Sequence, residues 1–182
     1  MVDVGLLQSL SYVAAAIGVC VAAIYYVMTL RVQQANMKEA INNRRATFSS
    51  NQSQYACSEE WIRLFLEVVH MQWSDFDNFK RKYDSDTSPE YAAKRAVVLS
   101  RYDLLGRQYR VGLISLDDIG AASGYTMVLT WLKFKPIIEG YRGSEYPITA
   151  YSDFEYVANA MLKKLSEGDP DFVKKVNYVP DK

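Results

Sequence analysis

The chain has 182 residues, and 21 Lys plus Arg balance 21 Asp plus Glu, so its formal net charge is zero. That balance excludes general nucleic-acid affinity, because neutralising phosphates requires a surplus of cations. Fourteen Tyr, seven Phe and three Trp suit a compact core and exclude a disordered chain.

The first element is apolar. Between Asp3 and Arg31 there is no charged side chain. At about 1.5 Å rise per residue, Val4 to Leu30 reaches roughly 40 Å, more than a hydrocarbon core of about 30 Å. Val13, Ile17, Val19, Val21, Ile24, Val27 and Met28 occupy every face, whereas a soluble core helix carries a polar stripe. A cleaved signal peptide fits poorly, because the amino end offers Asp3 and no basic residue, and the apolar run is too long. Residues 1–31 are therefore read as a retained transmembrane anchor. Arg31, Lys38, Arg44 and Arg45 follow the span and none precedes it, which places the carboxyl side in the cytoplasm. Tyr25 and Tyr26 suit the headgroup belt, with Arg31 and Lys38 beside anionic lipid. Ala14, Gly18 and Ala22 recur at four-residue spacing and mark a face where a second membrane helix can approach.

Residues 32–57 turn polar without Pro or Gly, and read as a juxtamembrane helical stalk that frays or bends around Ser49 and Ser50. Apolar residues there hold no sustained heptad repeat. The cytoplasmic helical domain is expected over 58–167. Ser58 followed by Glu59 and Glu60 starts a helix, with Trp61, Ile62, Phe65, Val68 and Val69 on one face, ending near Met71. Ser74 and Asp77 form a capping-box pattern for a short helix carrying Phe76 and Phe79 to about Tyr83. Ser88, Pro89 and Glu90 restart the chain as a long helix with Tyr91, Val98, Tyr102, Leu105 and Tyr109 inward, stopping at Gly112. Ser115 and Asp118 open the next. Its uncharged run, Ile119 to Leu132, spans only about 21 Å, so it reads as a core helix and not a second span; Pro136 is expected to kink it. Ser152 with Glu155 opens a last helix with Phe154, Val157, Ala158, Met161 and Leu165 inward. Residues 168–182, with Gly168, Pro170 and Pro180, read as a flexible tail. No segment alternates with period two. The expected fold is all-α: one amino-terminal transmembrane helix extended by a stalk into a bundle of about five helices.

Chemistry-bearing residues are few. Cys20 lies in the span and Cys57 in the domain, too far apart to pair, and such sparse usage fits a reduced, cytoplasmic setting. His70, the sole histidine, lies near Asp75 and Asp77. A His with two carboxylates is a donor set for iron or manganese, but this spacing matches no metal motif, and capping already explains the acids. Asp84, Asp86, Asp117 and Asp118 lack the spacing of a calcium loop. No phosphate-binding loop or nucleophile turn is present. No cofactor is expected, and the chain is not read as an enzyme.

Five stretches look familiar together: LSYVAAAIGVCVAAIYYVMTLR (Leu10 to Arg31), RRA (Arg44 to Ala46), WSDFDNFKRKYD (Trp73 to Asp84), GLISLDDI (Gly112 to Ile119) and WLKFKPIIEGYR (Trp131 to Arg142). On these the chain resembles a family of short, single-span prokaryotic membrane proteins, frequent among archaea, classed as a domain of unknown function. The resemblance implies the same topology and a helical cytoplasmic domain, and transfers no activity and no functional residue.

Three functions are compatible with this reading. The leading one is a membrane-anchored interaction or scaffold module, whose partners are the lipid bilayer and either another protein or a second copy of itself. The alternatives are a regulatory or signalling accessory subunit of a membrane complex, and a metal-dependent enzyme using the His70 region.

Overall fold

The computed structural model describes residues 4–176; Asp3, Pro180 and the rest of the tail beyond Val176 lie outside the described residues. The chain divides into two compact units, one ending at Thr47 and the other beginning at Phe48. Helix α1 (Val4–Ala56) supplies the first as far as Thr47 and continues into the second. Here Leu7, Leu10, Val13, Ile17, Val19, Val21, Ile24 and Val27 are all exposed. Among the described residues, α1 alone is long and apolar enough to cross a membrane. The backbone is helical through Ser49 and Ser50, where fraying or a bend was expected.

The second unit is all helical: α2 (Glu59–Val69), α3 (Phe76–Tyr83), α4 (Pro89–Arg110), α5 (Leu116–Tyr141), α6 (Ser152–Gly168) and the single turn α7 (Phe172–Lys175). No strand occurs among the described residues; Arg142 and Tyr146 form one isolated bridge. Local chemistry sets several boundaries. Ser58 Oγ accepts the Trp61 N–H at 3.2 Å and caps α2. At α5 the Ser115 and Asp118 side chains each bond the other's backbone N–H, a reciprocal cap of about 1 kcal/mol. Gly112 takes φ +73° after α4, a left-handed turn that glycine adopts without a Cβ clash.

Four expectations need correction. The cap of α3 is Asp75, not the Ser74–Asp77 pair: Asp75 Oδ1 accepts the Asn78 N–H at 2.7 Å, and Ser74 Oγ donates to Asp75 Oδ2 at 3.0 Å. In the extended N-cap conformation the shorter Asp75 side chain meets the third N–H ahead of it, which leaves Asp77 as a first-turn acid. In α5 the break falls at Ser123 (φ −159°, ψ 16°) while the backbone stays helical through Pro136. The Thr126 hydroxyl donates to the Ser123 carbonyl at 3.0 Å, and Tyr102 Oη donates to Thr126 Oγ1 at 3.1 Å, so side chains of α4 and α5 bond at the break. At α6 no Ser152–Glu155 box forms. Tyr151 is the N-cap, at φ 56°, with no side-chain cap bond, and Glu155 instead accepts from Arg142 Nη1 at 2.7 Å. The tail is not loose as far as Val176, which is 6 % exposed and packs with Val69 and Leu129.

The core is aromatic. Trp131, Tyr102, Tyr141, Phe79, Phe134 and Phe154 are all buried to within 2 %. Tyr102 of α4 stacks on Phe154 of α6 with centroids 5.2 Å apart, and Trp131 of α5 meets the same Phe154 edge-on at 5.3 Å. Offset and edge-on rings are the favoured arrangements of aromatic pairs. Phe48 packs against this core, and Tyr55 lies 5.6 Å from Trp61. The last turns of α1, expected as stalk, are thus part of the bundle.

Candidate interaction surface

The structure separates the residues that the sequence grouped around His70. His70 is the exposed C-cap of α2, whereas Asp75 is spent on the α3 cap. Hydrogen bonds from the Asn78 N–H and the Ser74 hydroxyl hold the Asp75 carboxyl below its ordinary range. Among the described residues no three His, Cys, Asp or Glu side chains converge enough to hold a metal ion. Cys20 and Cys57 are both free and exposed.

Sequence reading missed the buried cations. Arg95 is 5 % exposed; it donates to the Tyr83 carbonyl at 3.1 Å and lies 4.8 Å from the Phe79 ring centre. Arg101 is held between Tyr55 (4.3 Å) and Trp61 (4.4 Å), and burial pulls its pKa down. Lys133 is 5 % exposed with Nζ 4.7 Å from the Trp73 ring centre, and burial pushes its pKa down to about 8. Ring faces are negative, so each cation gains part of what it loses with water. Arg95 was legible in principle: three residues before Val98 and seven before Tyr102, it falls on the inward stripe of α4, whose expected first member, Tyr91, is instead 40 % exposed.

The surface grooves of the domain are shallow. One, of about 370 Å³, is lined by Leu66, Glu67, His70, Met71, Tyr83 and Tyr91. Its floor is apolar, and Tyr83 ties it to the preceding loop by accepting the Gln72 N–H at 3.2 Å. On its rim Lys94 bridges Glu67 (2.5 Å) and Glu90 (2.6 Å). The paired carboxylates raise the Lys94 pKa, and Lys94 in turn lowers that of Glu90. An apolar floor with a charged rim is the anatomy of a contact surface. No nucleophile and base face each other across it.

In the first unit Ala14, Gly18 and Ala22 are exposed, and a Cβ on Gly18 would meet nothing within 4 Å. Tyr25 and Tyr26 are 74 % and 64 % exposed, and Arg31 and Lys38 are exposed as well. Polar groups in the apolar stretch turn back on their own helix. Ser9 Oγ donates to the Gly5 carbonyl and Thr29 Oγ1 to the Tyr25 carbonyl, both at 2.9 Å.

No curated protein and no solved structure matches the chain. A family model, described as Domain of unknown function (DUF4760), matches residues 12–161. That span starts inside the apolar part of α1, takes in α2 to α5 and ends in α6. With well over half of its length matched, the chain belongs to the family defined by this domain of unknown function.

Proposed function

We propose that this protein is a single-pass membrane protein, amino terminus outside, whose cytoplasmic helical domain serves as an interaction or scaffold module. The observation that carries the reading is the contrast within one chain. The domain buries Trp131, Tyr102 and Phe79 completely, while α1 leaves Leu10, Val13, Ile17, Val19 and Ile24 more than half exposed. Lipid is the solvent in which such a helix is at home, since every backbone polar group within it is bonded internally. The return of the Ser9 and Thr29 hydroxyls to backbone carbonyls supports the same placement. The family match begins at residue 12, and this supports a retained segment over a removed leader. Basic residues after the span support the orientation. The archaeal setting implied by the resemblance belongs to the same reading.

The interaction role is supported by the shallow groove that Leu66, Met71, Tyr83 and Tyr91 line. Two experiments test the proposal. The full chain should remain in the pellet after alkaline carbonate extraction of membranes, and protease outside intact cells should leave the domain whole. Release into the supernatant or digestion from outside would overturn it. Purification in mild detergent should then recover a stoichiometric partner, either another protein or a second copy.

A further inference from the structure

Helix α4 has two apolar faces. One is the buried stripe of Val98, Leu99, Tyr102 and Leu105. The other consists of Ala93, Ala96, Val97, Ser100 and Leu104, all exposed, with Val97 and Leu104 each at 49 %. A surface helix ordinarily places charge opposite its buried stripe, and α4 does not. Its four charged residues between Tyr91 and Gly106 all turn to other elements. Lys94 pairs with Glu67 of α2, Arg95 is buried against α3, Arg101 lies between Tyr55 and Trp61, and Asp103 bonds α6. The outward face is left uncharged over about 17 Å of helix, closed by Glu90 at one end and Arg107 at the other; Glu90 pairs with Lys94 and Arg107 with Asp153, yet their side chains stay 76 % and 66 % exposed and open to a second partner.

This face is complementary to itself when reversed. We propose that the domain pairs with a second copy of this chain through α4, antiparallel about a two-fold axis level with the Val98–Leu99 peptide. That axis sets Ala93 opposite Leu104 of the second copy and Val97 opposite its Ser100, so each large side chain meets a small one. It also sets Glu90 opposite Arg107 of the second copy, so acid meets base at both ends. A parallel pairing would set Glu90 against Glu90 and Arg107 against Arg107. Antiparallel helices also oppose their dipoles favourably, and a two-fold contact uses the same patch on both copies. One helix face is at the small end of specific interfaces, so the dissociation constant is expected on the order of micromolar. The pairing rests on reading the domain as an interaction module and does not depend on the anchor.

The test uses the full chain in mild detergent, with Cys20→Ser and Cys57→Ser to remove both native thiols. Differently tagged copies carrying Val97→Cys and Ser100→Cys should cross-link on mild oxidation, as should Ala93→Cys with Leu104→Cys. Two copies of Ala93→Cys should not, because those positions lie about 16 Å apart along the antiparallel pair. Leu104→Glu or Val97→Arg, both at positions 49 % exposed, should leave helix content unchanged and weaken self-association at least about tenfold. The proposal fails if light scattering shows a monomer at about 100 μM, well above the expected constant. It also fails if the Ala93→Cys copies cross-link with each other, or if both charge substitutions leave the mass unchanged. A monomer that still recovers a different protein from membranes would overturn this pairing and leave the interaction reading standing.

Discussion

Asp103, in the middle of α4, caps the amino end of α6 through Phe154. Its Oδ1 accepts the backbone N–H of Phe154 at 3.0 Å and that of Asp153 at 3.2 Å. The cap that the neighbouring Tyr151 does not supply thus comes from a residue on another helix. Asp153 answers in the other direction: its carboxylate accepts from Arg110 Nε at 2.6 Å and Arg107 Nε at 3.3 Å. The seam between α4 and α6 is therefore tied from both sides around the Tyr102–Phe154 stack.

Asp103→Ala should destabilise the domain by about 1–2 kcal/mol, the cost of losing a cap and leaving partly buried N–H groups unpaired. Asp103→Asn keeps an acceptor oxygen and should lose less. Denaturant unfolding of the full chain in detergent reads both, and equal losses would mean that the carboxylate acts through charge and not as an acceptor.

Gly106 lies one turn further along α4. A Cβ there would come 2.0 Å from the Asp153 carbonyl oxygen, which is backbone and has no rotamer to move. Gly106→Ala should therefore push α6 away and lower stability by roughly 2 kcal/mol or more. Gly18→Leu is the contrasting change, because nothing lies within 4 Å of that site. It should leave domain unfolding untouched, and any effect would appear only in association of the membrane helix.

Lys133 provides a pH test. Burial lowers its pKa from 10.5 to about 8, so below about pH 8 the native state carries an unfavourable buried charge. Between pH 8 and 10.5 the unfolded chain binds more protons than the native one, and stability rises with pH through that window. Lys133→Met should be more stable than the parent at pH 7, and its advantage should shrink as pH approaches 10. A constant advantage would show that burial does not hold the Lys133 pKa down in the native state.

His70 provides a metal test. Because His70 is an exposed helix cap and Asp75 is committed to capping, His70→Ala should change neither bound iron or manganese, measured by elemental analysis, nor thermal stability. A stoichiometric metal lost on that substitution would favour the metal-dependent reading.

Much of this protein was legible in its residues, wherever the cause acts within one turn. The charge-free stretch up to Leu30 marked the helix that, among the described residues, is alone long and apolar enough to span a bilayer. Ser58 and Ser115 marked helix starts because a capping hydroxyl reaches only the next few N–H groups, and Gly112 marked a stop because a left-handed residue is a local event. The buried stripe of α4 was also written in the spacing of Val98, Tyr102 and Leu105, but that spacing did not announce the uncharged face opposite it.

Tertiary structure decided what depends on groups far apart in the chain. Asp103 and Phe154 are 51 residues apart, so no local pattern announces that one caps the helix of the other. The break in α5 settled at Ser123, where the Thr126 hydroxyl meets its carbonyl and Tyr102 in turn meets that hydroxyl, and not at Pro136. Phe48 joined the core and Val176 was covered because neighbours remote in sequence close over them. Periodicity assigns a side chain to a face; only the packed fold supplies what that face meets.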